Sequence, residues 1–213
     1  MDVALSALAQ VSYWALTLYL WMILVAVLLT WVAPDPRNPI VAFLNRMTAP
    51  LWNALARVLP GRWRLFAAYA ALLAVMFLIE FVPGVLATLS VLAGGRLGPA
   101  DLFAPVGGFF LRGVAVVLYN VCYFFVMLLV IWFILTLVSP SLNNPLVRVV
   151  FFLVDPVITP LQRLLPRLRV DVSPLLAAGL FFLFNLFVVS ELMAVSHALT
   201  ALPDATGMPR MRL

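Results

Sequence analysis

Four apolar runs, each long enough to cross a bilayer as a helix, govern what this chain can fold into. They fall at residues 11–32, 65–89, 113–138 and 174–195, and a hydrocarbon core ~30 Å thick needs about 20 helical residues. The runs are continuous rather than alternating, so each backbone must satisfy itself internally, which favours helices over an outer-membrane barrel. Composition agrees: 66% of residues are hydrophobic, 10% are charged and the mean hydropathy is +1.16, far from the balance of a water-soluble domain. The expected fold class is an all-α polytopic membrane protein with four transmembrane helices. No basic segment precedes the first run and no small-residue cleavage site follows it, so that run reads as a retained span and not a signal peptide.

Charge narrows the partners. All 13 basic residues are arginine, and against eight acids they give a net charge of +5. That balance suits anionic lipid headgroups, and direct nucleic-acid binding is not expected. A single cysteine, Cys122, and a single histidine, His197, exclude a disulfide framework and a Cys/His metal cluster. Five arginines (Arg37, Arg46, Arg57, Arg62, Arg64) lie between the first and second runs and four (Arg148, Arg163, Arg167, Arg169) between the third and fourth, against Arg96, Arg112, Arg210 and Arg212 on the opposite side. The positive-inside bias therefore predicts cytoplasmic central loops and periplasmic termini.

The chain also repeats itself. At an offset of 106, residues 38–60 align without a gap on 144–166, with eight of 23 positions identical, where chance leaves about two. The identities include Asn38/Asn144, Pro39/Pro145, Pro50/Pro156, Arg57/Arg163 and Pro60/Pro166. Two units of helix, amphipathic segment and helix follow, sharing one orientation as parallel repeats related by an axis along the membrane normal. Their expected extents are 1–92 and 109–197, joined by a linker at 93–108 and followed by a mobile tail at 198–213. Within each repeated segment, Asn38 or Asn144 is placed to cap a helix with proline at its first position. Pro50 and Pro156 should break that helix in two, with Asp155 capping a second short helix, and Pro60 and Pro166 should end it. Arg46, Asn53 and Arg57 are spaced seven and four, as are Arg148, Asp155 and Thr159, with Arg163 four further on, so each segment carries one polar stripe on an otherwise apolar helix. Such helices lie flat at the inner interface or tuck into the bundle. They either anchor the protein or, with Arg46, Arg57, Arg148, Arg163, Arg167 and Arg169, contact lipid or a partner.

These residues resemble the YggT family, also called the YlmG family. The likeness rests on the Asn-Pro openings, on Pro160-Leu-Gln-Arg163-Leu-Leu-Pro166, and on Asp171-Val-Ser173-Pro174 leading into the last span. The first half keeps Arg57 and Pro60, but Arg64-Leu-Phe-Ala stands where Asp-x-Ser-Pro would be. The resemblance implies a small integral protein of the bacterial inner membrane or plastid thylakoid with no established catalysis. Family members are linked to cell division or nucleoid distribution, to assembly of a thylakoid cytochrome complex, and to osmotic-shock tolerance.

Ionisable groups inside spans are the default place to seek transport. Counted from Arg64 and Ser173, Glu80 and Glu191 sit ~24 and ~27 Å along their helices, near the outer face. Arg112 begins the third span on that side and is placed to neutralise either one. Asn185 falls near mid-membrane, where an amide usually bonds a neighbouring helix. Asn120, Tyr119 and Tyr123 belong to the outer half of span three, where an aromatic belt or, with the two glutamates, a polar pocket is conceivable. Pro83-Gly84 should end or kink span two. Cys122 reads as an inert apolar-span thiol. No phosphate loop, paired catalytic carboxylates or nucleophilic triad can be assembled. The expectation is a non-enzymatic, cofactor-free scaffold or assembly factor for other integral membrane proteins, the alternative being a small ion or osmolyte pathway built from a homo-oligomer.

Overall fold

The computed structural model describes residues 2–32, 37–61, 66–138, 144–164 and 171–201. Among these the chain is helical, without strands. Helix α1 spans Asp2–Val32, α2 Pro39–Val58 and α3 Ala67–Ala93; a 3-10 turn at Pro99–Leu102 leads into α4, Phe103–Val138. Then come α5, Pro145–Leu164, and α6, Ser173–Phe184, which continues through a π-helical turn at Asn185–Val189 into α7, Ser190–Thr200. Among the described residues four helical stretches are long and apolar enough to cross a membrane: Asp2–Leu29, Ala67–Ala93, Pro99–Val138 and Ser173–Thr200. The protein is a multi-pass membrane protein.

The 106-residue offset recurs in the helix bounds. Val32 and Val138, Pro39 and Pro145, Val58 and Leu164, and Ala67 and Ser173 are equivalent pairs, each opening or closing a helix. The buried positions recur as well: Ile23/Leu129 at 0% exposure each, Ala71/Ala177 at 0% and 1%, and Thr48/Val154 at 0% each. Equivalent burial at equivalent register means that each repeat solves the same packing problem.

The described residues fall into two compact units, one drawn from Met1–Val117 with Ala194–Leu213 and the other from Leu118–Met193. In the first, α1 packs along α3 through Ile23, Val27, Val75 and Ile79, with Leu51 and Trp52 of α2 against the same cluster. Ile23 and Val27 precede the end of α1 by nine and five residues, a depth of ~8–14 Å. Tyr19, thirteen residues before that end, donates its hydroxyl hydrogen to the Met47 carbonyl at 3.3 Å. The amphipathic helix thus leans against the flank of its hairpin instead of capping its end. The second unit repeats this, with Val154 and Ile158 of α5 packed on Leu128, Leu129, Ala177 and Ala178.

Three expectations are corrected. The amphipathic segments are not pairs of short helices: α2 runs unbroken through Pro50, and α5 through Pro156 and Pro160. Each proline forfeits one backbone bond, but core contacts flank it on both sides, Thr48 before and Leu51 and Trp52 after Pro50, and they hold the axis together. Asp155 consequently caps nothing; its Oδ1 accepts the Thr159 hydroxyl at 2.8 Å, one turn on. Likewise Pro83-Gly84 does not end the second span, since α3 continues to Ala93. It stops there because Gly95, at φ +69°, turns the chain left-handed while Arg96 and Gly95 donate back to Val91 and Leu92 at 3.2 and 2.9 Å, a closing motif that favours glycine. The helices also outrun the expected spans: α1 begins at Asp2 and α4 at Phe103, leaving only 94–98 of the expected linker outside helices. The expected tail from 202 onward lies outside the described residues.

Candidate functional site

Polar groups collect in two places, on the amphipathic helices and midway along α3. The first begins with the helix caps. Asn38 Oδ1 accepts the Ile40 amide at 2.9 Å, satisfying a donor that the helix start leaves open, with Pro39 at the first helical position. Pro145 opens α5 in the same way, and the Asn144 carbonyl accepts the Arg148 amide at 3.1 Å. Leu59, preceding Pro60, is extended at ψ 133°, as the proline ring requires, and α2 ends there. Arg46 and Arg57 on α2 and Arg148 and Arg163 on α5 are exposed, and none makes an ion pair among the described residues. Pro166, Arg167 and Arg169 lie outside the described residues.

Asp171 joins α5 to the last span. Its carboxylate accepts the Ser173 amide at 3.0 Å and the Gln162 side-chain amide at 2.5 Å, and Ser173-Pro174 then starts α6. Burial works against ionisation here, but the Ser173 hydroxyl and amide and the Gln162 amide outweigh it and hold the carboxyl below its ordinary 3.8. The first repeat has Ala56 where Gln162 stands, so it has no counterpart of this latch. Gln162 carried no sequence signal beyond its place in the motif; its role needs the fold to bring 162 beside 171.

The second place is the crossing of α3 and α4. Arg112 Nε sits 2.8 Å from Glu80 Oε2, with side chains 38% and 23% exposed. Arg112 therefore pairs with Glu80, thirteen residues from either end of α3. Phe77, Phe81 and Phe110 contact one another beside it, with ring centroids 5.3–6.2 Å apart. Glycines make the approach possible. A Cβ on Gly84 would lie 2.2 Å from the Phe109 ring, one on Gly113 would lie 3.1 Å from the Phe77 carbonyl, and one on Gly108 would lie 3.1 Å from the Ser196 carbonyl of α7. Of these three glycines the sequence marks only Gly84, and as a helix end or kink, although small residues are the usual mark of close helix crossings in membranes.

The remaining candidates lie on α4, the π turn and α7. Glu191 and His197 are exposed on α7. Tyr119 and Tyr123 stack at 6.2 Å on an exposed face of α4 that includes Asn120. Asn185 makes no interhelical bond among the described residues; it opens the π turn, its carbonyl accepting the Ser190 amide. That turn ends at Val189, the position equivalent to Pro83, so both repeats depart from regular α-helix hydrogen bonding at one register. Cys122 is buried at 3% exposure. Among the described residues no group of three or more His, Cys, Asp or Glu side chains is arranged to hold a metal ion.

A comparison with known proteins gives this architecture its kin. Over 201 residues the chain is 30% identical to "Uncharacterized protein PA0392" of Pseudomonas aeruginosa, covering 91% of this chain and 89% of the relative. It is 25% identical over 183 residues to "Uncharacterized protein YggT" of Escherichia coli strain K12, covering 85% and 89%. No solved structure matches. The family model described as CCB3/YggT matches twice, at residues 5–90 and 111–192, once on each hairpin with its amphipathic helix. The chain belongs to the CCB3/YggT family.

Proposed function

We propose that this protein is a non-enzymatic organiser of the bacterial inner membrane, with its termini in the periplasm and its two amphipathic helices at the cytoplasmic leaflet, where they dock other integral membrane proteins during assembly of an envelope complex. One observation carries the reading: Arg46, Arg57, Arg148 and Arg163 are exposed on helices already seated by their apolar faces, with no ion pair among the described residues. Internal packing does not explain such groups, and exposed arginines among apolar and aromatic residues are a common interface composition. The arginine bias supports the orientation. An ion pathway using Glu80 is the weaker reading, because Arg112 already neutralises that carboxylate.

Site-specific photo-crosslinkers at 152 on α5 and at 14 on α1, both exposed, test the docking. In native membranes position 152 should yield a discrete adduct with another integral membrane protein and position 14 only lipid. Equal yields of lipid alone at both positions would remove the docking role.

A further inference from the structure

The crossing of α3 and α4 has a counterpart that the chain leaves open. There the second span of the first repeat packs on the first span of the second, with Gly84 beneath the Phe109 ring, Gly113 against Phe77, and Glu80 paired with Arg112. All six residues are buried or half-buried. Moved by the 106-residue offset, the same contact falls between the last span, α6 to α7, and α1. The equivalents of Phe77, Glu80 and Gly84 are Leu183, Leu186 and Ser190, and those of Phe109, Arg112 and Gly113 are Val3, Ser6 and Ala7. All six of these are exposed, Val3 at 75% and Leu186 at 51%. The backbones correspond as well, since the π turn at Asn185–Val189 lies at the register of residues 79–83 beside Pro83.

We infer that a second copy of this chain covers these faces, in a head-to-tail contact that packs Leu183, Leu186 and Ser190 of one copy on Val3, Ser6 and Ala7 of the next. The internal crossing is the template, because equivalent spans meet there at the same register. The two faces also change together. Leu186 replaces Glu80 and Ser6 replaces Arg112, so both charges are lost at once and neither partner sets an unpaired charge in hydrocarbon, which is costly. Ser190 and Ala7 keep the glycine positions small, and small residues let helices in lipid approach closely. Such a contact is heterologous, and each copy carries one face of either kind, so two copies related by an axis along the membrane normal use all of them. This contact is separate from the docking proposed above: it stands if α5 has no protein partner, and its failure leaves docking at 152 untouched.

The test uses full-length chains in which Cys122 is replaced by alanine. Two differently tagged chains, one with Ser6→Cys and one with Leu186→Cys, are co-expressed and their membranes oxidised with copper phenanthroline. Unlike chains should link at least about fivefold more than either chain expressed alone, since a disulfide requires Cα atoms within ~7 Å. A chain bearing both cysteines should link to its neighbour and not within itself. Native mass spectrometry in mild detergent gives a second reading. Ser6→Arg or Leu186→Glu alone should lower the dimer fraction about tenfold, each setting an unpaired charge in an apolar contact, and the two together should restore it by rebuilding the Glu80–Arg112 pair. Both positions are exposed in the single chain, so circular dichroism should show unchanged helix content and separate lost association from lost folding. Like chains linking as well as unlike ones, a link within one chain, no link at all, or a double variant no more associated than the single ones would each overturn the inference.

Discussion

Asp171 is the residue whose role is most fully determined by its surroundings. Three donors from Gln162 and Ser173 face one carboxylate, so its ionised form ties α5 to the start of α6. Because its folded pKa lies below the ordinary 3.8, the tie contributes fully above that value and fades as pH falls through the lower folded value. Protection against hydrogen exchange at the C-terminal end of α5, taken relative to the intrinsic rate at each pH, should therefore fall in acid for the wild type. In Asp171→Asn that protection should be lower already at neutral pH, by about 1 kcal/mol of local stability, and should not fall further in acid. Exchange that is unchanged by the substitution would leave the latch without energetic weight. The sequence made Asp171 and Ser173 legible as part of a motif, and Asn38-Pro39 legible as a helix start, because caps are local chemistry. Gln162 was not legible, since nine residues of chain must fold back before its amide meets Asp171. The choice between Glu80 and Glu191 as partner of Arg112 was open for the same reason.

At the scale of elements, long-range packing overrides local signals. Pro50, Pro83, Pro156 and Pro160 all sit inside helices, though each reads locally as a breaker. What decides is the quality of contact on either side, and in membranes helix association depends on that contact because lipid is as apolar as the side chains. Gly84 and Gly113 are the corresponding positive signals on the α3–α4 crossing, where Arg112 meets Glu80. Gly84→Ala places a methyl group 2.2 Å from the Phe109 ring, and overpacking of this kind costs roughly 1–3 kcal/mol. Thermal unfolding in detergent should show that loss, and Gly84→Ala with Phe109→Ala should recover part of it relative to the sum of the single changes. Strict additivity would mean that the ring is not what the glycine accommodates. The apolar runs themselves were legible to within a few residues at the ends next to the amphipathic helices, where polar sequence stops them. They were not legible at their opposite ends, where α1 and α4 continue into mixed sequence that packing or simple helix propensity keeps helical.

For the whole molecule, one structural unit occurs twice: a pair of spanning helices with a proline-bearing amphipathic helix against its arginine-rich end. The duplication, the family and the fold class were all legible in the sequence, because hydropathy and self-similarity are properties of the chain itself. The differing exposure of equivalent positions on α2 and α5, such as exposed Phe43 and half-buried Val149, became visible only in the fold. The proposed orientation puts the arginine-bearing ends of both repeats on the cytoplasmic side. With Cys122, buried in its span, replaced by alanine, single cysteines at 46, 57, 148, 163 and 96 should be probed in intact cells with a membrane-impermeant maleimide. Position 96 should label at once, and the other four only after the inner membrane is permeabilised. Labelling of 46 and 57 but not of 148 and 163, or of all four before 96, would contradict it.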